Sequence, residues 1–300
     1  MRKKFFLFDS TIILYRYYHA FVKQFTTHDK LNDAIIIGFI NTIINIIYKN
    51  HPTHIALIFD TNKNNIRNKI FNSYKKNRKS TPINIIESLP IIYKIIDEFN
   101  INKFTIDNYE ADDVIGSLVN KIANIQFHDV YIVTNDKDLD QLSSHNVFLY
   151  KLNSTINNHD TILKKWNIKN TQQITDILGL SGDASDNIPG IRGIGIKTAQ
   201  KIIQRYESIE NMFLNINSLE TKIYQKVINN KSIALLSKKL ATIITDINID
   251  INIEKLKIVK PNINNIKLLL SEKNYNKLVK SIEKYNYIYS KNIKQEKLVY

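Results

Sequence analysis

The chain has 300 residues, 43% of them hydrophobic, and a formal net charge of +14 at pH 7. That is enough apolar material for one large domain or two ordinary ones, and a basic balance of this size points to a polyanionic partner. The absence of cysteine excludes disulfides and thiolate metal sites. Asn, Ile, Lys and Tyr are abundant throughout, and a codon bias toward A/T would raise Lys without any functional cause. The placement of the charge therefore carries more weight than its sum.

In chain order, the N-terminus runs from Arg2-Lys3-Lys4 into Phe5–Phe8 and then Asp9. That apolar run is too short for a secretion signal, and runs such as Ile35–Ile40 are too short to span a bilayer. A cytoplasmic, nucleoid-associated protein with no membrane partner is expected. Phe5–Phe8, Ile55–Phe59, Phe104–Ile106, Val130–Val133 and Val147–Tyr150 read as buried strands, and Ala34–Tyr48, Ile83–Phe99 and Ala111–Ile125 have helical spacing. Strands alternating with helices predict an α/β domain with a mostly parallel sheet flanked by helices, over residues 1–170. A helical domain should fill 171–260, and an amphipathic helical extension containing Ile266, Leu268, Leu269, Leu270, Leu278 and Ile282 should fill 261–300.

The strands end in acids. Phe5–Phe8 meets Asp9, Ile55–Phe59 meets Asp60, and Val130–Val133 leads to Asp136 and Asp138. Phe104–Ile106 leads to Glu110, Asp112 and Asp113 at the start of a helix. In an open parallel sheet the crevice beyond the carboxyl ends of the strands is the usual ligand site. A single Asp after a strand is an ordinary turn residue, and acids in a first helical turn complement the helix dipole. The whole set in one crevice would repel and suffer desolvation, and bound cations relieve both. Oxygen ligands without Cys or His favour Mg²⁺ or Mn²⁺. Asp183 and Asp186 supply a second acidic pair, which suits two ions roughly 3.5–4 Å apart acting on a phosphodiester.

Five of the seven glycines fall at 179, 182, 190, 193 and 195. The run from Ile188 to Ala199 reads as a tight turn opening a helix whose free N–H groups face an anion, beside Arg192 and Lys197. An ordinary interhelical turn needs fewer glycines, and no Gly-Lys-Ser/Thr follows, so a nucleotide P-loop is excluded. Thr61–Ile86 carries Lys63, Arg67, Lys69, Lys75, Lys76, Arg78 and Lys79 and no acid. A solvated basic loop has this composition too, but its position directly after Asp60 fits DNA held by its phosphates, with Tyr74 stacking on a base.

Taken together, these segments resemble the 5′-nuclease family: the 5′→3′ exonuclease domain of bacterial DNA polymerase I, the phage 5′-exonucleases and the flap endonucleases. The resemblance covers about residues 4–260. It rests on Asp9 with Tyr15-Arg16 and His19-Ala20, Phe59-Asp60, Tyr74-Lys75 with Arg78, and Tyr109-Glu110-Ala111-Asp112-Asp113. It continues with Thr134 and Asp136-Lys137-Asp138-Leu139, the run Gly182–Gly190, and Gly193-Ile194-Gly195 with Lys197-Thr198-Ala199. It implies a PIN-like α/β domain and a helix–hairpin–helix-like helical domain. By it, Asp9, Asp60, Glu110, Asp112 and Asp113 serve a first metal ion, and Asp136, Asp138, Asp183 and Asp186 a second. Lys75 and Arg78 lie on a helical arch and contact the scissile phosphate. Arg16, Arg67, Tyr74, Gly190, Gly193, Gly195 and Lys197 contact DNA, with a K⁺ ion often held at the glycine-rich turn. The implied activity is 5′→3′ exonuclease and 5′-flap endonuclease on duplex and branched DNA and on RNA primers, by a monomer working beside a separate DNA polymerase.

Two positions depart from the family pattern: Asn108 stands where Gly usually precedes the Tyr-Glu motif, and Asp140 stands where an aromatic is frequent and is left out of the site. A chain of this length leaves no room for a polymerase module, so a free-standing nuclease, or a polymerase reduced to its nuclease part, is expected. A non-catalytic DNA-binding module would need the basic segments but not the acids. A PIN-type RNA nuclease would not need the helical domain. A phosphatase forming an aspartyl-phosphate would need Asp where Thr11 stands.

Overall fold

The computed structural model describes residues 2–283 except 26, 62–64, 272–274, 276–277 and 281. Lys63 and the final stretch of the C-terminal extension lie outside the described residues. Six strands, β1 (Lys3–Asp9), β2 (His54–Ile58), β3 (Asn102–Phe104), β4 (His128–Val133), β5 (Val147–Tyr150) and β6 (Ile156–Asn157), form one sheet in the order β3-β2-β1-β4-β5-β6. All pairings are parallel except β5 with β6. The helices are α1 (Ser10–Phe21), α2 (His28–Asn50), α3 (Ile66–Ile70), α4 (Ile83–Glu98), α5 (Ala111–Ala123) and α6 (His159–Trp166), then α7 (Gln173–Ser181), α8 (Ile196–Tyr206), α9 (Ile209–Leu214), α10 (Thr221–Val227), α11 (Lys231–Ala241) and α12 (Ile263–Ser271).

The central strands read as unbroken apolar runs because both faces of the sheet are covered. Along β1 the side chains alternate: Phe5 and Leu7 enter the core beneath α5, and Phe6 and Phe8 enter the core beneath α1, α2 and α4. α2 is a 23-residue helix long and apolar enough by length and composition to cross a membrane. Its Ile35, Ile36, Phe39 and Ile40 are buried in the second core, so its apolar face is already in use. The strand order reverses at β1, with β2 on one side and β4 on the other. The crevice at this switch point lies beyond the ends of strands that finish in Asp9, Asp60 and the loop after Val133.

The third strand is displaced from its sequence-based position at 104–106. Register with β2 pairs Ala56 with Asn102 and Ile58 with Phe104, so the chain leaves the sheet at Thr105 and crosses to α5 through Asn108. Asn108 has φ +70, a left-handed conformation that glycine adopts freely and asparagine tolerates better than most residues. The departure from glycine at this position is therefore conservative in backbone terms.

The helical half shares the first core with the sheet: Ile115 and Leu118 of α5 belong to the same buried cluster as Leu178, Ile203 and Leu240. The junction is clamped by Arg67, expected as a DNA contact but only 4% exposed. Its guanidinium donates to both carboxylate oxygens of Asp113, at 2.6 and 2.7 Å, and to the carbonyls of Leu240 and Thr242, both at 2.9 Å. Burial opposes the charge on Arg67, but the Asp113 pairing outweighs it and raises the pKa. Asp113 is fully buried and also accepts from the Ile244 N–H at 2.9 Å. Both sequence assignments are therefore corrected: Asp113 is not free to hold a metal, and Arg67 is not free to hold DNA. The extension past residue 260 returns to the α/β domain. Ile266 and Leu270 of α12, with Tyr275, Leu278 and Ile282, are buried in the core containing α2 and α4, and the Tyr275 hydroxyl donates to Asp33 at 2.5 Å.

Removing one partner of a buried ion pair leaves an uncompensated charge and typically costs about 3–5 kcal/mol. Asp113→Ala is expected to lose stability of that order in urea unfolding, and a loss below about 1 kcal/mol would show that the pair does not clamp the two halves.

Candidate active site

The crevice is built by local chain geometry. Asp9 ends β1 and caps α1, its Oδ1 accepting from the Ile12 N–H at 3.2 Å. Asp60 follows β2; its N–H donates to Thr11 Oγ1 at 2.9 Å and its Oδ1 accepts from the Ala111 N–H at 2.8 Å. Glu110 and Asp113 form a reciprocal capping box that starts α5. Consecutive helical residues point about 100° apart. Asp113 therefore turns to Arg67 and the helical half, whereas Asp112 faces the other acids. Thr134 ties the first strand to the fourth: its hydroxyl donates to Asp9 Oδ2 at 2.8 Å and accepts from the Asp136 N–H at 2.9 Å. Asp136 Oδ1 in turn accepts from the Asp138 N–H at 2.9 Å.

Electrostatics sort the acids into two groups. Burial, then the charge of Asp60, pushes Asp9 up to about 7, with Asp136 adding to the effect. Asp112 is raised well above the carboxylate range by burial, then by Asp136 and Asp9. Burial and then Asp136 push Asp138 up to about 7, and Asp183 and Asp186 add to this. Asp136 thus acts on Asp9 and Asp112 on one side, where Asp60 also bears on Asp9, and on Asp138 on the other, where Asp183 and Asp186 also bear. Burial also disfavours the charge on Asp183, but Lys137 at 2.5 Å and the hydroxyl and N–H of Ser185 hold its pKa below the usual value.

Among the described residues, no three acidic or imidazole side chains converge on one coordination point. Several acids meet basic side chains instead. Lys75 Nζ lies 2.5 Å from Glu110 Oε1 and 3.5 Å from Asp186 Oδ2. Arg78 donates to Asp186 Oδ1. The donor set nonetheless suits a hard divalent cation. It consists of carboxylate oxygens, three of its members are pushed toward neutrality by burial and by neighbouring acids, and the Oδ1 of Asp138 is buried without a hydrogen-bond partner among the described residues.

The remaining sequence assignments divide. Lys75 and Arg78 are beside the acids, but in the run of turns over 72–78 between α3 and α4 and not within a helix. Lys75 has φ +53, and its N–H donates to the Asp186 carbonyl at 2.9 Å. Tyr74 is corrected from a base-stacking residue to a buried one, 3% exposed. Its phenol faces Glu110 Oε2 at 3.0 Å and Asp186 Oδ2 at 3.1 Å, and burial followed by those charges raises its pKa strongly. Arg16 is exposed on α1. Gly190 is buried with φ +59, and a Cβ there would sit 2.2 Å from the Gly182 nitrogen, so this glycine serves close backbone packing and is corrected as a DNA contact. Gly193, Gly195 and Lys197 are exposed at the start of α8, with open space around Gly195. The sequence reading missed the roles of Thr134, Thr11 and Lys137. Thr134 and Lys137 stood inside a recognised motif, and the only signal for a role was a hydroxyl or cation next to the acids.

Comparison with known proteins agrees with this geometry. The model of the 5′-3′ exonuclease N-terminal resolvase-like domain matches residues 4–171, and that of the 5′-3′ exonuclease C-terminal SAM fold matches residues 169–264. A 5′-3′ exonuclease of Buchnera aphidicola subsp. Baizongia pistaciae is 38% identical over 91% of this chain and 93% of its own length. The DNA polymerase I of Caldicellulosiruptor bescii is 35% identical over 85% of this chain, which spans only 30% of that protein. Among solved structures, the bacteriophage T5 flap endonuclease, in a pseudo-enzyme-product complex with DNA and metal ions, superposes with a TM-score of 0.68 at 18% identity, covering 95% of this chain and 100% of that one. With both halves matched by the family models and near full-length identity to a free-standing relative, the chain belongs to the 5′-3′ exonuclease family.

Proposed function

We propose that the chain hydrolyses phosphodiester bonds near the 5′ end of a DNA strand, at flaps and frayed or branched duplex and on RNA primers, using two Mg²⁺ or Mn²⁺ ions. The observation that carries this reading is the meeting of two carboxylate groups at Asp136, with Lys75 and Arg78 at the same edge of the sheet. Asp9, Asp60, Asp112 and Asp136 would hold one ion, with Glu110 beside them. Asp138, Asp183 and Asp186 would hold the other and share Asp136. Such ions supply an activated water and stabilise the leaving oxygen.

The chain's own part is orientation and charge. Thr134 and the N-cap bond to Ile12 fix both oxygens of Asp9. Lys75 places an ammonium between the two carboxylate groups, where negative charge grows on a phosphate in the transition state. Lys197 and the exposed backbone at Gly193 and Gly195 would grip the duplex through its phosphates, with K⁺ as an additional ligand of that turn. The DNA and metal ions of the T5 flap endonuclease complex support the substrate class. The reading further takes the chain as a monomer acting where a separate DNA polymerase displaces a strand.

Cleavage of a 5′-flap substrate is expected with Mg²⁺ or Mn²⁺ and to vanish in EDTA; undiminished cutting in EDTA would rule out the two-ion mechanism. Lys75→Ala is expected to slow cleavage by roughly 10²–10³ while binding the flap nearly normally in Ca²⁺. Lys76→Ala serves as the control, because Lys76 is exposed and makes no ion pair among the described residues. Equal, mild slowing in the two variants would reduce the segment to a generic basic surface. Lys197→Ala is expected to weaken duplex binding at every sequence and to lower the slope of log affinity against log salt by about 1; an unchanged slope would remove Lys197 from the phosphate contacts.

A further inference from the structure

The loop that carries Asp136 and Asp138 is strapped from behind by groups that the mechanism above does not use. Asp140 is completely buried. Its Oδ2 accepts from Trp166 Nε1 at 2.9 Å and from Lys165 Nζ at 2.5 Å. Its Oδ1 has no hydrogen-bond partner among the described residues and faces Lys151 Nζ at 3.8 Å. Lys151 follows β5 directly, and the same ammonium donates to the backbone carbonyl of Asp136 at 3.3 Å. The adjoining Leu152 N–H donates to Asn135 Oδ1 at 3.0 Å. Two consecutive residues after β5 therefore hold two consecutive residues of the acidic loop.

A fully buried carboxylate persists as an anion only with cations and donors around it. Asp140 has two lysines, and they differ in what else they touch. The Lys165 side chain is 43% exposed and makes no contact with the loop's carbonyls, whereas the Lys151 side chain is 15% exposed and bridges Asp140 to Asp136. Asp136 is the carboxylate that acts on both acidic groups, so a twist of its peptide would misplace it for both. Groups that orient a ligand from behind commonly set metal affinity.

We propose that Lys151 is a positioning residue for Asp136, held in place by the buried Asp140 carboxylate. The proposal rests on the two-ion reading. Its effect is read as Mn²⁺ affinity of the full chain without DNA, by calorimetry or by the electron spin resonance signal of free Mn²⁺, so turnover is not needed. Lys151→Met is expected to weaken Mn²⁺ binding by about tenfold, with Asp140→Asn following it and Lys151→Arg regaining most of the loss. Lys165→Met removes a partner of Asp140 but nothing from the loop, and should stay within about twofold of the unaltered protein. Thermal unfolding checks that each variant folds; if Asp140→Asn does not, the Lys151 pair of variants decides alone. An unaltered chain that binds no Mn²⁺ would overturn the two-ion reading and this proposal together. Normal binding by the unaltered chain and equally tight binding by Lys151→Met would overturn this proposal and leave the two-ion reading standing. Equal weakening in Lys165→Met and Lys151→Met would also overturn it, assigning the effect to the packing of α6.

Discussion

Mutual repulsion among buried carboxylates is the constraint around which the C-terminal edge of the sheet is arranged. Asp9, Asp112 and Asp138 are pushed toward neutrality by burial and by their neighbours. The chain meets this with specific donors: Thr134 on Asp9, Lys75 on Glu110, Arg78 on Asp186, and Lys137 with Ser185 on Asp183. Each device localises charge without dispersing the acids. A fold concerned only with stability would replace such a cluster by apolar side chains, because buried ion pairs rarely exceed well-packed hydrophobes in net stabilisation. Retaining it is consistent with a site for cations and phosphates, since function is decided by the site and not by the fold.

The same constraint explains why the helical half cannot be separate from the sheet. Asp183 and Asp186 lie beyond α7, yet they act on Asp138 across the junction. Holding them there needs a rigid connection, and two features provide it. One is the common core joining α5 to α7, α8 and α11. The other is Arg67, which gathers Asp113, Leu240 and Thr242. Arg67 leads directly into the turns bearing Tyr74, Lys75 and Arg78, so the clamp that joins the halves also sets the segment lying over the acids.

Much of this was legible in the sequence for a physical reason: a parallel sheet covered on both faces writes itself as short apolar runs, and its ligand edge as the acids that follow them. The α/β pattern, the acidic residues and the glycine cluster needed nothing beyond spacing and residue type. What stayed illegible was direction. Asp112 and Asp113 look equivalent on paper, yet one helical step separates an acid near Asp9 and Asp136 from one paired with Arg67. Arg67 and Tyr74 sit in a run of bases that reads as a DNA surface, and only tertiary packing shows that both are buried. The third strand was misplaced because its register is set by β2 and not by its own apolar residues. Lys151 gave no signal at all, since its contact with Asp136 arises from the pairing of β4 with β5.

The glycines make the same point at the scale of single backbones. Gly182 and Gly190 both have positive φ, and they press against each other so closely that a Cβ on either would meet backbone atoms of the other's segment. They close the loop that presents Asp183 and Asp186, so their smallness serves the acids. Gly193, also at positive φ, and Gly195 lie a few residues further on, exposed, with Gly195 capping α8 in open space. Among the described residues, nothing lies within 4 Å of a Cβ at Gly195. The residue type is the same in both places, but the first pair is explained by what the chain packs against itself. In the second pair, Gly193 answers to its positive φ and to Lys226 close by, whereas Gly195 leaves open room beside the exposed Arg192 and Lys197. One short run from 182 to 197 therefore bears Asp183 and Asp186 of the acidic crevice at its beginning and exposed backbone beside two cations at its end.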